Sequence, residues 1–171
     1  MPELPEVETT IRGLYPIIKS NILCIKINTP KLRYNIPQSI IFAKKNKIIE
    51  LKRRGKFIII CLDNNFSIVI HLGMSGRIRL IKKQKFEKRK HDHFYFTTDN
   101  NYLLIFNDTR KFGFIDYDKD ERIFNRKYIL SLGIDGLDKD LNGKYLYAKV
   151  CKSNIPIKQI LLNQKIIAGI G

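Results

Sequence analysis

Phe57-Ile58-Ile59-Ile60-Cys61-Leu62-Asp63-Asn64-Asn65-Phe66-Ser67-Ile68-Val69-Ile70-His71 is the stretch that decides the fold. Phe57–Leu62 and Ser67–His71 are crowded with β-branched and aromatic side chains, which pack well on a pleated, extended backbone. Asn64-Asn65 lies between them, and asparagine suits turns because its side chain bonds to nearby backbone and tolerates left-handed geometry. The stretch reads as an antiparallel hairpin. Similar runs flank it: Ile22–Ile27 and Ile48–Leu51 upstream, then Ile78–Ile81, Phe94–Thr98, Tyr102–Asn107 and Gly113–Tyr117 downstream. Asp99-Asn100-Asn101 is a second turn, and the charged stretch Lys82 to Lys90 an exposed loop. Many short strands with turn signals between them predict an antiparallel sandwich or barrel. Glu3 to about Ser20 reads as a helix laid on it. Pro5 sits in its first turn, where a missing N–H costs little, and Val7, Ile11, Leu14 and Ile18 mark an apolar face. From about Asp120 helical patterns take over, at Glu121–Leu130, Gly143–Lys152 and Ile157–Ile167, the last with an apolar face at Ile157, Ile160, Leu161 and Ile167. The expectation is a mainly β, α+β fold: a helix-capped antiparallel β-sandwich over residues 1–119, a connecting helical segment over 120–152, and the start of a further helical module over 153–171.

Charge narrows the function. The 171 residues carry 32 Lys+Arg against 16 Asp+Glu, a formal net charge of +16. A polyanion is the natural partner, nucleic acid before membrane, and weak, salt-sensitive binding follows from such a balance. Cys24, Cys61 and Cys151 are far apart and form no C-x-x-C pair, so they are read as small buried residues in a reducing compartment. Glu3 and Glu6 stand where a secretory leader would need basic residues, and no apolar run reaches membrane-spanning length, so a cytoplasmic protein is expected.

The opening Met1-Pro2-Glu3-Leu4-Pro5-Glu6-Val7-Glu8-Thr9 carries chemistry. If Met1 is removed, Pro2 presents a secondary amine, and α-amines titrate near neutrality. Such an amine can attack an electrophilic sugar carbon and form an iminium. A neighbouring carboxylic acid can move protons to the ring oxygen and the leaving base, and Glu3 and Glu6 are both within a turn. Lys52-Arg53-Arg54-Gly55-Lys56 is a phosphate-binding patch or a solvated charge run. In His71-Leu72-Gly73-Met74-Ser75-Gly76-Arg77 an apolar Met74 stands between glycines, a pliable wedge or a core residue. Lys90-His91-Asp92-His93 could pair two histidines on one strand face, but no third ligand accompanies them, so no metal site is expected.

These motifs, in this order, together with Asn107-Asp108-Thr109-Arg110-Lys111-Phe112-Gly113, resemble the formamidopyrimidine-DNA glycosylase family over essentially the whole chain. The resemblance implies a base-excision-repair DNA glycosylase with abasic-site lyase activity. It would remove oxidised purines such as 8-oxoguanine and formamidopyrimidines through a Schiff base on Pro2, followed by β,δ-elimination. It makes Glu3 the general acid, with Glu6 beside it, and gives Lys56 a role in the lyase step and on phosphate. It puts Arg33, His71, His91 and Lys158 on DNA. Met74 and Phe112 become wedges pushed into the duplex, with Arg110 facing the orphaned base. Double-stranded damaged DNA is the implied partner, with a monomeric protein and no obligate protein partner. Substitutions Lys56→Ala and His71→Ala are each expected to weaken DNA binding and flatten its salt dependence. Residues 153–171 resemble the start of a helix–two-turns–helix module.

Three departures stand out. Leu132-Gly133 is followed by Ile134-Asp135-Gly136 where the family has Pro-Glu-Pro, Asn154 replaces an expected basic residue, and the pattern continues in relatives beyond Gly171. That continuation holds an asparagine, further helices and a four-cysteine finger with one structural zinc, so no cofactor is expected in this chain. The chain therefore reads as a fragment with impaired activity, its last helix short of packing partners. Two alternatives stay open beside the purine enzyme: an endonuclease VIII-like glycosylase for oxidised pyrimidines, and an inactive DNA-binding remnant. A basic RNA-binding protein would explain the charge but not Pro2, Met74 or Phe112.

Overall fold

The structure is a computed structural model describing residues 2–171; Met1, whose removal is expected from the sequence, lies outside the described residues. Two four-stranded antiparallel sheets face each other. The first is ordered β1-β6-β7-β5 and comprises β1 (Ile22–Ile27), β5 (Gly76–Lys82), β6 (Asp92–Thr98) and β7 (Tyr102–Asp108). The second runs β2-β3-β4-β8, with β2 (Ile48–Arg54), β3 (Phe57–Leu62), β4 (Phe66–His71) and β8 (Phe114–Lys119). The hairpin at Asn64-Asn65 is β3–β4, and Asn65 takes the left-handed conformation at φ 60° that its turn requires. The α+β sandwich expected from sequence is the fold.

Strand β3 is buried at every position because both faces of its sheet are covered. Ile58, Ile60 and Leu62 join the core between the sheets with Ile68, Ile70, Phe94, Phe96 and Phe106. Phe57, Ile59 and Cys61 face the other way, under Ile123 and Ile129 of two short helices, α2 (Asp120–Phe124) and α3 (Lys127–Leu130). Truncating one of the fully buried isoleucines to alanine should cost about 2–5 kcal/mol, since close-packed surroundings collapse only partly into the hole.

The helices differ from expectation in three places. The first, α1 (Leu4–Gly13), ends well before Ser20. Pro16 has no N–H to donate back to Arg12, and its ring clashes with that carbonyl, so the chain continues as a 3-10 turn over Tyr15–Ile17. Ile17 rather than Ile18 then completes the buried stripe of Leu4, Val7, Ile11 and Leu14. The segment 121–130 is two helices, because Arg126 is extended and reaches back to Asp116 and Asp118 of β8, at 3.4 and 3.0 Å. A further helix, α4, spans Gly143–Val150. The last, α5 (Ile157–Leu161), stops short of Ile167. Asn163 caps the backbone of Lys165 at 3.0 Å, and the chain straightens into β10 (Ile167–Ala168), parallel to β9 (Ile134–Asp135). Ile160 and Ile167 are only 5% and 2% exposed and pack within the chain, whereas Ile157 of the expected apolar face is 53% exposed. The cysteines also divide: Cys61 is buried, whereas Cys24 and Cys151 are exposed. Among the described residues no helix is long and apolar enough to cross a membrane.

Candidate active site and nucleic-acid interface

Helix α1 begins at a reciprocal cap. Glu3 is the N-cap residue, and its backbone N–H donates to Oε2 of Glu6 at 3.0 Å. A carboxylate there also meets the positive end of the helix. The next amide, Leu4, donates to the carbonyl of Gly169 at 3.3 Å, which ties the helix start to the C-terminal segment. Pro2 is thereby held half-buried just ahead of the helix, between two hollows. One is a cleft of about 770 Å³ that it lines with Glu6, Thr10, Met74, Arg77 and Asn107. The other, about 350 Å³, it shares with Lys56, His71, Tyr128, Leu132 and Gln164.

Lys56 reaches this point from the β2–β3 turn. Gly55 makes the turn with φ +56°, tight against Ala168. Arg53 anchors it: its guanidinium donates to both oxygens of Asp135 at 2.6 and 2.8 Å, and its Nε to Glu8 at 2.8 Å. Asp135 also accepts the N–H of Gly55 at 2.9 Å. Burial opposes charge on Asp135 and Arg53 alike, yet their pairing prevails and holds the Asp135 carboxyl below its ordinary range and Arg53 above its own. Glu3 and Lys56 then converge on Gly171. A side-chain carbon built there would lie 2.5 Å from Oε1 of Glu3 and 2.8 Å from Nζ of Lys56. An acid, a lysine ammonium and the residue-2 nitrogen thus share one neighbourhood.

The opposite wall is made of two loops. Met74, at the tip of the β4–β5 loop, and Phe112, in the β7–β8 loop, are 44% and 42% exposed although both are large and apolar. Neither side chain is part of the core. The Arg110 guanidinium stacks 4.6 Å above the Phe112 ring. Arg33, His71, Gly73, Met74 and Phe112 line a third hollow of about 430 Å³ next to the first two.

His71 is a neutral donor in this setting. It is stacked on Phe114 and tilted against Phe57, with ring centroids 5.5 and 4.8 Å away. Burial first, then the positive charges of Arg33 and Lys56, push its pKa from 6.5 down to about 4. Its Nδ1 accepts the N–H of Gly73 at 3.1 Å, so the proton is on Nε2.

The chain matches known proteins over most of its length. The profile of the formamidopyrimidine-DNA glycosylase N-terminal domain matches residues 1–115. This chain belongs to the formamidopyrimidine-DNA glycosylase family. It is 43% identical to the formamidopyrimidine-DNA glycosylase of Zymomonas mobilis, over 100% of this chain and 63% of that protein. It is 38% identical to that of Rickettsia felis, over 100% of this chain and 62% of that protein. Crystal structures of the Lactococcus lactis enzyme superpose closely. The wild type with N7-benzyl-Fapy-dG DNA gives a TM-score of 0.88 at 31% identity, and the complex with abasic-site DNA 0.87 at 30%, each over 99% of this chain and 63% of that one. The chain therefore spans a little under two thirds of the length of these relatives.

Most of the residues the family resemblance singled out meet here. Pro2, Glu6 and Met74 line one cleft; Pro2, Lys56 and His71 its neighbour; Arg33, His71, Met74 and Phe112 the third. Glu3 meets Lys56 at Gly171, and Arg110 covers Phe112. Two residues stand apart. Lys158 is exposed on α5 and lines none of these hollows. His91 precedes β6 in left-handed backbone at φ 71°, its ring 6.2 Å from that of His93, and its carbonyl accepts the Asp108 N–H. His93 has both ring nitrogens engaged, with the Thr29 hydroxyl at 2.8 Å and the Asp108 carbonyl at 2.7 Å, which leaves neither for a metal.

Several participants carry no motif signal along the chain. Tyr128 stacks on Phe57 and donates to Asp116 at 2.7 Å; burial and that bond raise its pKa. Gln164 donates to the Ile170 carbonyl at 2.5 Å and accepts the Gly169 N–H at 2.8 Å, shaping the segment that meets Glu3. Asp135 is the counterpart of Arg53. Nothing local in the sequence distinguishes Tyr128 and Gln164, and Asp135 stands out only as part of a departure from the family pattern; its role comes from the chain's return to the β2–β3 turn.

Proposed function

We propose that this chain is the catalytic part of a base-excision DNA glycosylase and abasic-site lyase acting on oxidised purines in duplex DNA. The observation that carries this reading is the position of Pro2, between the hollow shared with Lys56 and the cleft shared with Met74. A nucleophile there has Lys56 on one side and the Met74 wedge on the other. With Met1 removed, the Pro2 nitrogen lone pair attacks C1′ of the damaged nucleotide. The C1′–base bond breaks, and the base leaves as its electron pair is protonated, with Glu3 the acid. The proton that the Pro2 nitrogen sheds on bonding to C1′ returns to the Glu3 carboxylate, which passes it to the ring oxygen as the C1′–O bond breaks, leaving an iminium on Pro2. That cation acidifies the C2′ proton, which passes to the now deprotonated Glu3 carboxylate as the 3′ phosphate leaves by β-elimination, and loss of a second proton, from C4′ to water, expels the 5′ phosphate by δ-elimination. Water then releases the sugar remnant and frees the amine. Glu6 holds Glu3 by its backbone and acts as a positioning residue. Lys56 balances phosphate charge, and Met74, Arg110 and Phe112 occupy the space of the everted nucleotide, offsetting part of the few kcal/mol that extrusion costs.

The Lactococcus lactis relative is described with Fapy-dG, abasic and oxidised-pyrimidine DNA, which supports a damaged-DNA substrate. Borohydride trapping tests the nucleophile. A covalent adduct with abasic duplex is expected, and Pro2→Gly should reduce its yield by at least tenfold. An adduct that forms equally well when Met1 is retained or Pro2 is acetylated overturns the assignment.

A further inference from the structure

The two wedge-bearing loops are bolted together by groups the reaction does not touch. Asp108, the last residue of β7, has a fully buried carboxylate. Its Oδ2 accepts the N–H of Gly113 at 2.8 Å, and its Oδ1 accepts the Ser75 hydroxyl at 2.5 Å and the N–H of Arg110 at 3.2 Å. Ser75 in turn accepts the Arg110 N–H at 3.0 Å. One carboxylate therefore holds both ends of the Arg110–Phe112 loop and the residue after Met74. The backbones are also in direct contact: Gly73 sits at φ +64°, where any side chain would collide with Gly113 N and the Phe112 carbonyl carbon. Asp108 is itself fixed from behind. Its N–H donates to the His91 carbonyl at 3.1 Å, and its carbonyl accepts from His93 at 2.7 Å. Such a carboxylate cannot relax on one side without losing bonds on the other, because each unmet donor would be left poorly solvated.

We propose that Asp108 and Ser75 are positioning residues that couple the Met74 loop to the Arg110–Phe112 loop, so that all three side chains enter the duplex as a single wedge. This rests on the proposed function, which makes those side chains the groups inserted into DNA. The physical reason for such coupling is that neither loop alone fills the gap left by an everted nucleotide. Stacking on one side is gained only if the other is also supported, so separate loops would each insert at a cost. The His91–His93 run is thereby drawn into the wedge as its footing.

A double-mutant cycle isolates the coupling. The probe is a tetrahydrofuran-containing duplex, which mimics an abasic site and resists cleavage. Affinities are measured for Met74→Ala, Arg110→Ala and the double variant of this chain, in the parent, in Ser75→Ala and in Ser75→Thr. In the parent the two substitutions should be non-additive by at least fivefold. Ser75→Ala, which removes only the bridging hydroxyl, should bring the cycle within twofold of additivity, and Ser75→Thr should restore the coupling. A DNA-free readout accompanies it: amide hydrogen exchange at Arg110 should quicken at least tenfold in Ser75→Ala, and in Asp108→Asn exchange at both Arg110 and Gly113 should quicken. Coupling that persists in a folded Ser75→Ala protein, additivity already in the parent, or unchanged Arg110 exchange overturns the inference. If neither single substitution alters affinity, the wedge reading fails, and the coupling with it.

Discussion

At the scale of the residue, His71 shows how surroundings rewrite a side chain. As a sequence feature it is a candidate cation on phosphate, and His71→Ala is expected to flatten the salt dependence of binding. Packed on Phe57 and Phe114 and facing Arg33 and Lys56, it is neutral until the pH falls to about 4. A neutral imidazole releases no counterion, so the expectation is corrected. His71→Ala should weaken binding with the salt slope unchanged, whereas Lys56→Ala should reduce the slope by about one. Titrating affinity from low to physiological salt separates the two, and a flattened slope in His71→Ala would sink this account. The same burial links His71 to stability. The unfolded chain takes up a proton below pH 6.5 and the folded protein not until about 4, so stability is fully present above about 6.5 and drains as pH falls through that window. Between pH 7 and 4.5 the drain is on the order of 2–3 kcal/mol, at about 1.4 kcal/mol per pH unit. His71→Phe should abolish that share. Urea unfolding of both proteins at the two pH values measures it, and equal losses would contradict it.

At the scale of elements, the contact to test is the one between β9 and the β2–β3 turn. Arg53 and Asp135 have side chains only 11% and 14% exposed, and Glu8 of α1 joins them. Breaking a buried pair by removing one partner leaves a stranded charge and costs about 3–5 kcal/mol. Asp135→Ala should therefore lower thermal stability by several degrees and release β9 with its partner β10. The segment around Gly171 then loses its place beside Glu3 and Lys56. Replacing both partners, Arg53→Met with Asp135→Leu, should recover most of the stability but not Lys56-dependent DNA binding. Thermal melts with binding assays check both, and a stable single variant would contradict the buried-pair reading. These elements also show where the sequence was legible. Strands announced themselves by β-branched density, and β1 and β3 begin and end where that density does. Helix breaks did not, because Arg126 extends to reach Asp116 and Asp118, partners supplied by another element. Nor did β10, whose isoleucine fits a helical stripe as well as a strand.

At the scale of the molecule, charge and completeness govern what these 171 residues do when assayed by themselves. A net charge of +16 should give weak, lesion-tolerant and strongly salt-dependent duplex binding. The chain spans 63% of the Zymomonas mobilis relative, so whatever the remainder contributes to holding DNA is absent from such an assay. Positioning supplies roughly 7–11 kcal/mol of barrier reduction in well-held substrates, at tenfold in rate per ~1.4 kcal/mol. An abasic aldehyde is already electrophilic and needs less of it than an intact glycosidic bond. Residual nicking of abasic duplex, with 8-oxoguanine excision near background, is the expected result in single-turnover conditions. Excision at a rate comparable to nicking would show that positioning by these residues alone suffices.

The sandwich can be read along the chain, because β-branched runs and asparagine turns act locally. So can the family, because Pro2-Glu3, the Lys56 turn and the Met74 and Arg110-x-Phe112 loops each stand as short contiguous motifs. How those motifs are held depends on contacts that exist only once the chain has folded. Asp108, Asp135, Tyr128 and Gln164 are ordinary residues along the chain, and each acquires its role from a partner made near by folding: Ser75 for Asp108, Arg53 for Asp135, Asp116 for Tyr128, the Gly169–Gly171 carbonyls and amides for Gln164. The charge state of His71 belongs with them, since it depends on the water and the cations that the folded chain removes from or places beside the ring.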